Sequence, residues 1–259
     1  MRVAEPILIA FAGIYGAMLG SFLNVCVYRL PRDESVIQPR SRCPRCRTPI
    51  AWHDNIPVVS WLALGGKCRH CKARIGVRYP LVELFVALAW AGSIAWHGLS
   101  FAALSTALLV TLLVGILLTD AERMIIPDEF SLGGLGAGLG LSLVRGGISP
   151  LQALVGAAVG FALLWLAGTV GKWWAGREAM GGGDLKMMAM VGSFLGWRGV
   201  LLTVFLGSLV GTIVFLPALL RRERHREIPF GIFLAVGGVA TLLAGDPLIA
   251  WYRGFVAGP

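Results

Sequence analysis

Long uncharged apolar runs, separated by short polar stretches, set the pattern of this chain. Ile7–Val27, Phe101–Thr119, Leu151–Val170 and Val200–Leu220 each approach the ~20 residues a helix needs to cross the hydrocarbon core of a bilayer. Four weaker runs are bounded by charged or turn residues: Tyr79–His97, which contains Glu83, the glycine-rich Phe130–Val144, the short Leu185–Trp197, and Ile228–Ala244. Together they predict an all-α polytopic membrane protein with about eight transmembrane helices. The first run exceeds the ~7–15 residues of a secretory signal core, and only Arg2 among cations precedes it, so it reads as a retained span rather than a cleaved signal.

Composition agrees with the pattern. Hydrophobic residues make up 56% of the chain and charged residues 14%, against about 25% charged in an ordinary soluble domain. The net charge of +9 would suit a nucleic-acid partner, but the enrichment of Lys and Arg in cytoplasmic loops accounts for it first. With the first span running from outside to inside, eight spans put nineteen of the twenty-three Lys and Arg residues on the cytoplasmic side and leave only Arg2, Arg145, Arg198 and Arg253 outside. The basic stretch Arg221–Arg226 reads as a solvated determinant of that orientation. No nucleic acid is expected. Glycines four apart, Gly136/Gly140, Gly156/Gly160 and Gly207/Gly211, read as sites of close helix packing.

One segment departs from this pattern. Leu30–Arg78 is polar, rich in arginine and carries four of the five cysteines, which divides the chain into a first transmembrane helix (residues 1–29), a small cytoplasmic domain (30–78) and a membrane-embedded helical bundle (79–259). Cys43-Pro-Arg-Cys46 and Cys68-Arg-His-Cys71 form two Cys-x-x-Cys elements separated by twenty-one residues. That separation is one residue beyond the usual range for a four-thiolate zinc site, but the paired elements still point to one, in which a tetrahedral metal staples a loop with little core of its own. Two disulfides are the structural alternative, disfavoured in a reducing cytoplasm. With four thiolate ligands no position remains for water, so the site reads as structural and His53 and His70 as bystanders. Cys26 reads as a small buried apolar residue.

Acids beside apolar spans are costly, by ~2.5–3.5 kcal/mol at a helix centre. Glu83, Asp120 and Asp184 qualify. Asp120 follows the run ending Leu117-Leu118-Thr119, and Asp184 follows Gly181-Gly182-Gly183. The charge-derived orientation puts both at the cytoplasmic face. Two carboxylates brought close share a proton, so one activates water while the other polarises a peptide carbonyl, the chemistry of an aspartyl protease. Glycines ahead of Asp184 would let a backbone approach. Taken singly, each acid also fits a helix boundary: Asp184 as a cap, Asp128 and Glu129 in a first turn. Lys186 suits either a carboxylate partner or a snorkelling cation.

In order along the chain stand Gly20-Ser21-Phe22-Leu23-Asn24, Tyr28-Arg29-Leu30-Pro31, the two cysteine elements, Asn55-Ile56-Pro57, Ser60-Trp61-Leu62, Arg78-Tyr79-Pro80-Leu81-Val82-Glu83, Asp120, Pro127-Asp128, Gly181-Gly182-Gly183-Asp184-Leu185-Lys186 and Ile228-Pro229-Phe230-Gly231. This sequence of motifs resembles the bacterial type IV prepilin peptidases, membrane aspartyl proteases with a Gly-x-Gly-Asp motif, over nearly the whole chain. The resemblance implies Asp120 and Asp184 as catalytic residues and Cys43, Cys46, Cys68 and Cys71 as zinc ligands. It also implies an inner-membrane enzyme that removes a short basic leader after a glycine from type IV prepilins or pseudopilins at the cytoplasmic face. Methylation of the new N-terminus with S-adenosylmethionine would be a second activity, for which no residue pattern marks the donor pocket. A presenilin or signal-peptide-peptidase type of intramembrane protease shares the Gly-x-Gly-Asp element but has no counterpart to the cysteine loop. A zinc-stabilised scaffold or an ion transporter using the acids as cation ligands is the non-proteolytic alternative.

Overall fold

A computed structural model of the protein describes residues 4–144, 146–176, 180–220 and 229–257; Arg2, Arg145, the stretch Arg221–Arg226 and Ile228 lie outside the described residues. The described residues are helical with no strand, apart from two isolated β-bridges. The eight helices are α1 (Ala4–Arg29), the short α2 (Val59–Ala63), α3 (Arg78–His97), α4 (Phe101–Arg123), α5 (Asp128–Ser142), α6 (Pro150–Ala175), α7 (Gly182–Leu220) and α8 (Phe230–Ala257). Six of them, α1, α3, α4, α6, α7 and α8, are long and apolar enough to span a membrane. The protein is an all-α polytopic membrane protein.

All eight apolar runs find a helix, with two adjustments. Leu185–Trp197 and Val200–Leu220 join in α7, which is interrupted at Gly196, a residue with non-helical φ 68° and ψ 178°. The second adjustment is α8, which runs on past Ala244 through Gly245-Asp246-Pro247 to Ala257. Pro247 removes one backbone donor without ending that helix.

The chain divides into two compact units, Met1–Gly115 and Ile116–Pro259. In the first, α1 lies against α3 at glycines. A Cβ at Gly16 would stand 2.8 Å from the Val86 carbonyl oxygen, and one at Gly20 would stand 2.8 Å from Glu83 Cα. The Asn24 amide donates to the carbonyls of Gly20 and Tyr79, both at 3.2 Å, and the Trp90 indole donates to Thr111 Oγ1 at 3.0 Å, tying α3 to α4. Cys26 is buried, as its place in the first span predicts.

In the second unit, α7 packs on α5, α6 and α8. The start of α6 is written in Ser149-Pro150-Leu151-Gln152. Ser149 Oγ accepts from the Gln152 N–H, the Gln152 side chain accepts from the Ser149 N–H, and proline occupies the first turn. Between α6 and α7 the backbones touch: a Cβ on Gly156 would meet the Gly192 carbonyl, one on Gly192 the Gly156 carbonyl, and one on Gly160 the Met188 carbonyl. Gly207 meets the Phe233 carbonyl of α8 at 2.8 Å in the same sense. The Gly136/Gly140 pair meets no partner among the described residues, where nothing lies within 4 Å of a Cβ at either. One residue between them, Gly138, turns toward α7, where a side chain would meet Ser193 and Phe194.

Gly192→Ala forces a methyl onto backbone rather than a yielding side chain, and overpacking of this kind costs about 1–3 kcal/mol. Its thermal midpoint in detergent is expected to fall by several degrees, whereas Gly140→Ala, which adds a methyl in open space and helix propensity of about 0.5–1 kcal/mol, leaves the midpoint unchanged or raises it.

Candidate active site

Asp120 sits in the last turn of α4 and is buried, 5% exposed. The helix ends beyond it at Met124, whose φ of 55° turns the chain and whose N–H donates to the Asp120 carbonyl at 2.9 Å. Asp184 is the third residue of α7 and half-buried, its N–H directed at the Gly181 carbonyl at 3.2 Å. The two carboxylates, sixty-four residues apart, line one cleft of about 280 Å³ together with Met124, Ile125, Ile126, Gly181, Gly182 and Gly183.

The walls of that cleft follow from local sequence. Met124-Ile125-Ile126 is the turn between α4 and the Pro127 that precedes α5, and it gives the cleft an apolar side. Gly181-Gly182-Gly183 gives it a side of bare backbone. Gly183 has no room for more, since its Cβ would stand 3.0 Å from Ile126 Cβ. Asp128 and Glu129 occupy the first turn of α5, where acids suit the helix dipole. Lys186 Nζ donates to both oxygens of Asp128, at 2.7 and 2.9 Å, pinning the start of α7 to the start of α5. The lysine therefore has an ion-pair partner, and the acidic boundary residue is that partner.

A contact that sequence reasoning missed lies on α8. The Ile232 N–H donates to Asp120 Oδ2 at 3.0 Å. The sequence signal was Gly231 in the Ile228–Gly231 motif, but its neighbour in space could not be read from the chain. Met124, Ile125 and Ile126 were missed as well, their only signal being that they fill the gap between Asp120 and Pro127.

The four cysteines of the loop converge. Their sulfurs all lie within 4.8 Å of one another, with Cys43 Sγ 3.8 Å from Cys71 Sγ and Cys46 Sγ 4.0 Å from Cys68 Sγ. Disulfides need about 2.05 Å, so these are four free thiols. Ligands about 2.3 Å from a tetrahedral zinc stand about 3.8 Å apart, which is the spacing present, and the site fits the metal. The two elements repeat one geometry. Cys43 and Cys68 accept N–H bonds from Arg47 and Lys72 through their carbonyls at 2.8 and 3.0 Å, both cations have positive φ, and the bridges Arg42–Pro49 and Lys67–Arg74 close each turn. Hydrogen bonds from the Thr48 side chain and backbone bring the Cys46 thiol down to about 6, and those from the Cys71 and His70 backbone lower Cys68. Cys71, despite a bond from the Ala73 backbone, is pushed up to about 11 by burial and by the other three sulfurs. A shared cation relieves that crowding of thiolates.

The remaining loop motifs make side chain to backbone hydrogen bonds. Arg29 donates to the carbonyls of Ser35 and Pro39 at 2.8 and 2.7 Å. Ser60 Oγ accepts from the Ile56 N–H and donates to the His53 carbonyl, and Trp61 Nε1 donates to the Ile75 carbonyl. Glu83, buried on α3, accepts from the Val58 N–H at 2.7 Å, where φ is 61°. His53 stands beside Asp54, whose carboxylate takes a two-pronged bond from Arg69. Neither His53 nor His70 joins the sulfur cluster.

The Bacterial Peptidase A24 N-terminal domain family matches residues 14–97, and the Type IV leader peptidase family matches residues 107–216. Proteins named prepilin leader peptidase/N-methyltransferase are similar along almost the whole chain. That of Aeromonas hydrophila is 37% identical over 265 residues, covering 92% of this chain and 91% of its own. That of Pseudomonas aeruginosa is 40% identical over 268 residues, covering 93% and 92%. The Myxococcus xanthus protein is 40% identical over 233 residues, covering 87% of this chain and 70% of its own. No solved structure matches significantly. A family match in each half and end-to-end similarity at this level show that the chain belongs to the type IV leader peptidase family.

Proposed function

We propose that the protein cleaves the leader from type IV prepilins or pseudopilins with Asp120 and Asp184 as its catalytic pair, and methylates the exposed N-terminal amine with S-adenosylmethionine as donor. The observation that carries the peptidase reading is the convergence of these two acids on one cleft with a bare-backbone wall of three glycines. Family membership supports both activities, because the relatives are named for both.

The chemistry follows from two carboxyl groups sharing a proton. The ionised partner takes a proton from water as its oxygen attacks the scissile carbonyl carbon, and the protonated partner gives its proton to the carbonyl oxygen. Collapse of the tetrahedral intermediate breaks the C–N bond: the leaving nitrogen takes the proton that the first carboxylate drew from water, and the second carboxylate recovers its proton from a hydroxyl of the gem-diol. A peptide laid along Gly181–Gly183 has its backbone close to Asp184, since no side chain there holds it off. Cleavage after a glycine is consistent with that closeness, because a residue without a Cβ enters a narrow cleft most readily.

Cys43, Cys46, Cys68 and Cys71 would hold zinc, whose contribution is to fold residues 30–78 as a separate domain between the first span and the bundle of residues 79–259. The cleft and the zinc domain would face the cytoplasm, supported by the eight-span reading of the sequence, in which nineteen of the twenty-three Lys and Arg residues fall on that side.

Asp120→Asn and Asp184→Asn keep side-chain volume but can neither take nor give the proton. Each is expected to lower cleavage of a synthetic leader-helix peptide by about 10³-fold or more while methylation of a pre-cut peptide persists; mass spectrometry follows both, and cleavage surviving in either variant sinks the pair. Elemental analysis of purified protein is expected to give one zinc per chain, lost in Cys46→Ser with faster tryptic cutting between residues 30 and 78. Unchanged zinc in that variant would refute the four-thiolate site.

A further inference from the structure

The motif Ile228-Pro229-Phe230-Gly231 has no role in the chemistry above, yet the start of α8 lies against one of its two carboxylates. The Ile232 N–H, in the first turn of α8, reaches Asp120 Oδ2 at 3.0 Å. Gly231 is buried, and a Cβ on it would stand 2.8 Å from Asp120 Oδ2, 3.2 Å from Asp120 Cγ and 3.0 Å from Ile126 Cδ1. Real Cβ atoms do not approach a carboxylate oxygen so closely, and neither Asp120 nor Ile126 is a flexible side chain with a long reach. Glycine is thus the residue that allows α8 to deliver its amide to the acid.

Helix geometry makes this amide available. The first N–H groups of a helix have no partner within it, so the donation to Asp120 takes nothing from α8. The same end of a helix favours a negatively charged acceptor. By contrast Asp120 stands in the last turn of its own helix, where its backbone neighbours are acceptors. Its seat comes from α8, a hundred and twelve residues further on.

We propose that Gly231 and the Ile232 amide are positioning groups for Asp120, holding its carboxylate plane in the orientation from which it meets water or the proton shared with Asp184. This rests on the reading of Asp120 and Asp184 as the catalytic pair. It assigns to the first turn of α8 a part in the rate of cleavage and none in recognising the substrate, because neither residue lines the cleft.

Two variants test it on the full-length protein in detergent, with a leader-helix peptide as substrate. Gly231→Ala displaces the carboxylate. Replacement of Ile232 by the corresponding α-hydroxy acid exchanges its N–H for an ester oxygen and keeps the side chain, so this second variant answers the question if Gly231→Ala fails to fold. The expected result for each is a kcat at least tenfold lower, KM within twofold of the unaltered enzyme, and full methylation of a pre-cut peptide, which reports an intact fold. Gly140→Ala, in open space, is expected to leave all three unchanged. Unaltered kcat in the Ile232 ester variant overturns the proposal, as does a rise in KM at constant kcat. Asp120→Asn in parallel separates the two readings: if it still cleaves, the catalytic pair itself is wrong and this inference falls with it, whereas an inactive Asp120→Asn beside a fully active ester variant removes the positioning role alone.

Discussion

Direct contact of backbone with backbone is the constraint on which the aspartate-bearing unit depends. In a bilayer the lipid is as apolar as the side chains, so helices gain little by hiding leucines and must associate through close packing. Here α6 and α7 meet through Gly156, Gly160 and Gly192, and α7 meets α8 through Gly207. The helices packed in this way, α7 and α8, carry at their beginnings Asp184 and the amide at Asp120. Even the interruption of α7 at Gly196 uses a conformation with positive φ that a side chain would resist.

The loop between α1 and α3 solves a different problem. It has few apolar residues to bury, so its order comes from polar anchors: two cysteine turns of matching geometry, the Arg29 guanidinium on two carbonyls, and Glu83 on the Val58 amide. Glu83 is costly in an apolar helix, and its partner explains its presence, because an unsatisfied amide at a strained turn would be costly too. Ser60 and Trp61 add side chain to backbone bonds of the same kind.

Much of this was legible in the sequence because the relevant signals are local. Apolar runs and a Cys-x-x-Cys pair each declare themselves within a few residues, and the helices and the sulfur cluster appear where those signals put them, although six helices rather than eight are long and apolar enough to span a membrane. Signals that depend on helix phase were weaker. The spacing Gly136/Gly140 resembles Gly156/Gly160, yet only the second faces a neighbour, because phase relative to α7 decides and four-residue spacing does not encode it. The turn at Gly245-Asp246-Pro247 looked like an end to α8, but a proline costs one hydrogen bond and the apolar residues beyond it carry the helix on. For the cleft, the two acids were visible as costly groups, whereas Ile126 and the Ile232 amide were not, since a backbone donor has no side-chain signature.

The two acids also sit at opposite kinds of helix end, which bears on how each would act in the catalytic pair proposed above. Asp184 lies in the first turn of α7, where free N–H groups of its own helix are at hand, while Asp120 lies in the last turn of α4, among carbonyls. If both acids were served by their own helices, Asp120 would have no nearby donor, and its carboxylate would be free to rotate. The first turn of α8 supplies that donor at 3.0 Å, and it can do so because residue 231 is a glycine. The two acids are thus placed unequally: Asp184 stands at the N-terminal end of its own helix, whereas the amide that meets Asp120 comes from a helix in a distant part of the sequence. In the proposed pair the proton is shared because two carboxylates held close cannot both ionise, and unlike surroundings would bias which of the two keeps it.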